Sequence, residues 1–234
     1  MRINIRLSFT SILFFLTGVL LFSSCDKQEG KYSIGDFIVS FGIVEKSPDS
    51  EEGSYQIRLD NGDRFVTVTP SASVADIHVG QRVFVNFAPF EDKVNPDNSK
   101  IIYGNINLIH NILYKDVLQL SEVNNDSIGD DPINLKDSWI TGDSILTVGF
   151  NFYTAGSIHA INLADNAEGD GITKPFVFEF RHNANGDRLL YKASGYVSFK
   201  LNRYRIAGEH KVAFVVRYTD YEGKRVDIPH SIDY

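Results

Sequence analysis

From Gly35 onward, apolar residues recur at every second position rather than every third or fourth. That period of two points to strands, because successive side chains of an extended backbone face opposite sides, whereas a helix gathers residues three and four apart. In Phe37-Ile38-Val39-Ser40-Phe41-Gly42-Ile43 the odd positions Phe37, Val39, Phe41 and Ile43 are expected to form one continuous apolar face. Gly42 inside the run marks a bulge or a sharp coil. Residues 55–59 and 64–69 alternate on either side of Asp60-Asn61-Gly62-Asp63. Asn-Gly between two alternating runs predicts a hairpin closed by a type I′ turn, which needs positive φ at both central residues. After a break at 70–79 the pattern resumes over 81–87, pauses at Pro89 and a polar loop over 91–99, and returns over 100–108. Five strands with a long first strand and a gap between the third and fourth predict a small Greek-key barrel of the OB type. A meander half-barrel fits the same alternation.

Alternation continues over 111–120, and a polar stretch over 124–132 reads as a loop. Beyond it the strands are longer and rich in phenylalanine: Leu146, Val148, Phe150 and Phe152 share one face, as do Phe176, Phe178 and Phe180. Asn185-Gly186 suggests a second hairpin, leading into 189–191, and Glu222-Gly223 a third. Strands with one apolar face each predict a β-sandwich. The expected fold class is therefore all-β, an OB-like Greek-key barrel over 32–112 followed by an antiparallel β-sandwich over 113–234. No segment after the leader reads as a helix, and no repeat is visible.

The leader itself carries two arginines, an apolar run over 7–22, and Ser23-Ser24 before Cys25. A basic start, an apolar middle and small residues before a cleavage point predict a secretory signal peptide over 1–24. A transmembrane anchor is the competing reading, since the run approaches the ~18 apolar residues of a span. Leu21-Phe22-Ser23-Ser24-Cys25 resembles the lipobox of bacterial lipoproteins, in which the cysteine is acylated and becomes the mature N-terminus. That resemblance implies membrane attachment through acylated Cys25, with residues 25–31 as a polar tether. Each buried methylene contributes about 0.8 kcal/mol, so two or more chains hold a protein on a bilayer. The expected location is the cell envelope, on the outer membrane.

The formal net charge is −7, and removing the leader's two arginines makes it more negative. A chain that acidic is a poor partner for nucleic acid, whose backbone is bound by lysine and arginine. Cys25 is the one cysteine, so no internal disulfide is available. The six histidines stand singly, without the close spacing of zinc sites, although His159 and His182 could meet across the sandwich. No metal site and no cofactor are assigned. There is no Gly-x-Ser-x-Gly, no phosphate loop and no spare cysteine nucleophile, so the chain is not read as an enzyme. Two oxygen-rich loops, 124–131 and 165–171, raise a calcium question without matching the EF-hand spacing.

Four features together resemble the NigD-like lipoproteins of Bacteroidetes: Cys25 with its lipobox, Val79-Gly80-Gln81-Arg82-Val83, Leu135-Lys136-Asp137-Ser138-Trp139, and Gly195-Tyr196-Val197-Ser198-Phe199-Lys200-Leu201. The resemblance implies an OB-like domain before a β-sandwich, and its name a role akin to bacteriocin immunity. It names no catalytic residue.

Two functions are compatible with these observations. One is a tethered interaction module whose partner is an envelope protein or glycan. The other is a carbohydrate-binding protein or envelope hydrolase using a sheet face or cleft. An OB face commonly binds oligomers, and its outward candidates here are Arg58, Arg82, Phe84 and Tyr103. Arg82 and Phe84 have the parity opposite to Val83, Val85 and Phe87, which turns them away from an odd-numbered core.

Overall fold

The computed structural model describes Tyr32, residues 35–47, 54–68 and 77–233. The expected signal peptide, Cys25 and the expected tether lie outside the described residues. Residues Phe37–Tyr234 form one compact unit.

Its first part is a closed barrel of β1 (Ile38–Lys46), β2 (Gln56–Leu59), β3 (Arg64–Thr67), β4 (Arg82–Val94) and β5 (Lys100–Asn111). The order is β1-β2-β3-β5-β4, with β4 pairing back onto β1 and β3 running parallel to β5. This is the expected Greek-key barrel of OB type. Its core holds Tyr55, Ile57, Phe65, Val83, Val85, Phe87, Ile102 and Ile109, with Phe65 and Phe87 stacked at 4.0 Å. Each such side chain contributes roughly 1.5–3 kcal/mol on burial.

Three local expectations change. The apolar face of β1 is not the core face: Val44 is 1% exposed and Ile38 packs on the barrel core, whereas Phe37 is 65% and Val39 47% exposed. The odd set points outward, where Phe41 meets the sandwich. The Asn61-Gly62 hairpin forms, but only Gly62 has positive φ, at 88°. Leu59 N–H donates to Asp63 O and Gly62 N–H to Leu59 O, giving a three-residue loop with a left-handed glycine instead of a type I′ turn. Finally β4 runs through Pro89 to Val94, so the polar loop shrinks to a turn around 95–99. The strand accommodates proline at a bulge between Pro89 and Glu91, and Gly104 opposite leaves room for it. A Cβ at Gly104 would sit 2.2 Å from the carbonyl oxygen of Ala88.

The second part is a sandwich of two sheets. One has the order β14-β13-β11-β10-β7 and the other β6-β12-β9-β8. The strands are β6 (Leu113–Asp116), β7 (Leu118–Gln119), β8 (Asn134–Ile140), β9 (Ile145–Thr154), β10 (Ala160–Asp165), β11 (Phe176–Asn183), β12 (Tyr191–Lys200), β13 (Lys211–Thr219) and β14 (Arg225–Asp233). Adjacent β6 and β7 join opposite sheets, each by parallel pairing. The predicted faces of β9 and β11 make the core, with Leu146, Val148, Phe178 and Phe180 at most 1% exposed.

Two sandwich expectations change as well. Strands β11 and β12 lie in opposite sheets, so Asn185-Gly186 is not a hairpin turn. Part of the polar stretch is a short helix, α1 (Glu122–Ile128). Tertiary contacts hold it: the Arg181 guanidinium donates to the carbonyls of Asn125 and Gly129, and Asn183 Nδ2 to Ser127 O at 2.9 Å. Among the described residues no helix is long and apolar enough to cross a membrane.

Candidate functional site

The seam between barrel and sandwich accounts for three of the four outward candidates. Arg82 is fully buried: it grips both carboxylate oxygens of Asp60 and donates to Thr147 Oγ1 at 2.8 Å and Ser198 Oγ at 3.2 Å. Trp139 Nε1 reaches the same carboxylate at 2.8 Å. Phe41 packs edge-on to Phe84, Trp139 and Tyr196 at 5.0 to 5.3 Å, and the Arg82 guanidinium lies 5.6 Å from its ring centre. Arg58 bonds Glu45 at 3.0 Å and also pairs with Asp143. Tyr103 stands apart on β5, with Lys93 over its ring at 5.1 Å. A cavity of about 260 Å³ remains at the seam, lined by Arg58, Asp60, Asn61, Arg82, Thr141 and Asp143. Its arginines and aspartates are paired with one another, so their charge is spent on joining the two halves.

A different arrangement sits at one end of the sandwich, where the β9–β10 and β11–β12 loops meet. Asn185 and Gly186 both take positive φ, 54° and 72°, and Asp187 N–H closes the turn on Ala184 O at 3.0 Å. The turn delivers the Asp187 carboxylate into the neighbouring loop. There Oδ2 accepts from Thr154 Oγ1 at 2.6 Å, Ala155 N at 2.7 Å and Ser157 N at 3.2 Å, while Oδ1 accepts from Arg188 N at 2.9 Å. Asn185 Nδ2 adds a bond to Ile158 O at 2.7 Å. One carboxylate thus fixes both loops.

The same oxygen lies 3.1 Å from His159 Nε2, and His159 Nδ1 lies 2.8 Å from His182 Nε2. His182 Nδ1 in turn faces Pro132 O at 3.0 Å. The histidines do meet, but between adjacent β10 and β11 within one sheet, because His159 directly precedes Ala160, which pairs with Asn183. The side chains of His159 and Asp187 are only 4% and 5% exposed. The Thr154 hydroxyl, opposed by burial and joined by backbone N–H groups and His159, holds the Asp187 carboxyl far below the usual range. Burial pushes the His182 imidazole down, against the pull of its bond to the Pro132 carbonyl.

The same two loops, and the start of β12, expose apolar side chains. Ile158 is 87% exposed, Leu189 62%, Leu190 60% and Tyr191 54%. Exposed Arg188 and Lys192 flank the last three in sequence. Sequence reading paired the histidines but missed Asp187 and these exposed side chains. The available signal was Leu189-Leu190, two adjacent leucines directly after a turn, where alternation calls for one polar residue.

The oxygen-rich loops use their acids internally. Asp170 accepts from the N–H groups of Ile172, Thr173 and Lys174, and Asp165 from Ala167 N–H and the Tyr204 hydroxyl. Asp131 accepts from Ala184 N–H. Among the described residues no group of three or more His, Cys, Asp or Glu is arranged to hold a metal ion.

Residues 116–230 match the NigD-like C-terminal beta sandwich domain. No curated protein sequence matches the chain. Among solved structures, a Bacteroides vulgatus protein of unknown function is 24% identical with a TM-score of 0.66, covering 85% of this chain and 91% of its own. A Parabacteroides distasonis protein named as toxin related is 28% identical with a TM-score of 0.64, covering 85% and 95%. A Bacteroides caccae protein described as a NigD-like immunity protein is 20% identical with a TM-score of 0.59, covering 82% and 91%. The match places a NigD-like C-terminal beta sandwich domain over the second part of the chain, and through that domain the chain is similar to the NigD-like proteins.

Proposed function

We propose that this chain is a lipid-anchored, non-catalytic interaction module of the cell envelope, tethered through Cys25 and engaging its partner with the loop end of the sandwich. The observation that carries the reading is the Asp187 clamp in the two loops that expose Ile158, Leu189 and Leu190 and lead into exposed Tyr191. Exposed apolar side chains on hydrogen-bonded loops suit binding, since loops already ordered lose less entropy on association. Arg188 and Lys192 give an acidic chain a local positive rim, which fits an apolar partner surface edged with carboxylates. A bacteriocin or its receptor is the proposed partner, in keeping with the immunity label on the Bacteroides caccae neighbour. His159 and His182 have their ring nitrogens committed to hydrogen bonds, which favours a binding role over proton-transfer catalysis. The lipobox supports the envelope location, on the outer membrane.

Oxidative footprinting tests the reading. Tyr191 and Leu190 in the intact native envelope are expected to be protected relative to the purified chain, while Val123 on α1, 93% exposed, reacts equally in both. Equal reactivity of Tyr191 and Leu190 in the two preparations overturns it.

A further inference from the structure

The hydrogen-bond chain Pro132–His182–His159–Asp187 has an acceptor at each end, and that fixes how many protons the two rings between them must carry. The Pro132 carbonyl can only accept, so His182 Nδ1 bears a hydrogen. In the neutral ring the other nitrogen, His182 Nε2, is then a lone pair, and it accepts from His159 Nδ1–H. The far end is the ionised Asp187 carboxylate, which can also only accept, so His159 Nε2 bears a hydrogen as well. We infer that the His159–His182 pair holds three protons when the loop end is closed, and that uptake of a fourth opens it.

The charges around the pair agree with that number. Asp187 faces His159 from the β11–β12 loop and balances one positive charge. Asp131, in the segment before β8, faces His182, and its backbone N–H donates to His182 O at 2.8 Å. From β9 come the Phe152 ring, 4.8 Å from His159 and 6.0 Å from His182, and the Thr154 hydroxyl on Asp187. The β13–β14 turn adds Tyr221, whose hydroxyl takes the Tyr153 N–H at 3.0 Å. Among the described residues no second carboxylate bonds the pair, so a fourth proton finds no acceptor there. It would set two imidazolium nitrogens against each other at the position of the present 2.8 Å bond.

Opening follows because the histidine that is pushed away shares its carboxylate with the loop. His159, Ala155 N–H and Ser157 N–H all converge on Asp187 Oδ2, so displacing the ring disturbs the clamp that holds Ile158 in place. One extra proton in the open form makes its population rise about tenfold for each pH unit of acidification. The consequence for binding rests on the loop end being the interaction surface; the proton number does not.

The test uses the purified mature chain without any partner, so its failure is separable from failure of the binding reading. Nitrogen-15 NMR of the imidazoles at pH 7 is expected to show both nitrogens of His159 protonated and His182 protonated at Nδ1 alone. Exchange protection of the Ala155 and Ser157 amides is expected to fall about tenfold per pH unit once the fourth proton binds. A His182→Gln variant, whose side-chain carbonyl can still accept from His159, is expected to lose that pH dependence. Two ring protons at pH 7, or amide protection that stays level while the fourth proton binds, overturns the inference. The wild-type spectra decide it even where the variant does not fold.

Discussion

Arg82 Nη2 lies 2.6 Å from Asp60 Oδ2, and this pair, one member on β4 and the other in the β2–β3 turn, is where the barrel takes hold of the sandwich. The same guanidinium reaches Thr147 on β9 and Ser198 on β12, and Trp139 on β8 reaches the same carboxylate. Removing one partner of a buried pair strands the other charge, at a cost of about 3–5 kcal/mol. Arg82→Met is therefore expected to lower the unfolding free energy by that amount in denaturant titration, with barrel and sandwich melting in separate steps. A loss below about 1 kcal/mol, the range of exposed ion pairs, contradicts the assignment.

Phe41 and Val39 share one face of β1 but not one environment. Phe41 is wedged among Trp139, Tyr196 and Phe84, whereas Val39 is 47% exposed. Phe41→Ala is expected to cost about 3 kcal/mol and to shift Trp139 fluorescence. Val39→Ala is expected to stay within about 0.5 kcal/mol, as surface changes do, and to leave the emission unmoved. Equal effects of the two substitutions contradict the outward docking of Phe41.

Gly104 is required by a close approach rather than by an unusual φ. An added Cβ meets the Ala88 carbonyl carbon at 3.0 Å and its oxygen closer still, and backbone in the middle of a paired strand cannot swing aside. Gly104→Ala is expected to destabilise by about 1–3 kcal/mol. Gly223→Ala, in the open β13–β14 turn, meets no atom within 4 Å and strains only its positive φ of 77°. Thermal melts of the two variants compare a packing clash with a purely conformational cost.

Burial raises the Tyr204 phenol to about 12, with the Arg203 hydrogen bond opposing and Asp165 reinforcing the rise. A raised folded-state value means that the native protein keeps the proton longer than the unfolded chain does. The resulting stabilisation is complete below the ordinary phenol value of 10.0 and disappears as the pH climbs to about 12. Denaturation midpoints from pH 9 to 12 are expected to fall more steeply for the wild type than for Tyr204→Phe. Parallel curves contradict a buried, proton-donating Tyr204.

Period-two alternation made the sheet architecture legible, because each strand has one face it must hide. Which face was not legible for β1: Phe37, Val39 and Phe41 look like a core, and one of the three is instead the contact with a second layer. Local turn chemistry was similarly divided. Asn61-Gly62 makes a hairpin without the I′ geometry, and Asn185-Gly186 takes two positive φ values without making a hairpin, since the dipeptide sets a bend and the core decides which sheet receives the next strand. Helix α1 is invisible in its own residues, as the groups that satisfy its last carbonyls come from β11. Asp187 reads as one loop carboxylate among many, because its role depends on donors about thirty positions upstream.

The claim that the loop end meets a partner is tested most directly by placing a photo-crosslinking side chain at position 190 in the full-length protein and irradiating cells that produce it. A discrete adduct with one envelope or bacteriocin protein is predicted at 190, none at 123, and none at 190 after Asp187→Ala loosens both loops. The same adducts from 190 and 123, or no adduct from either, would contradict it.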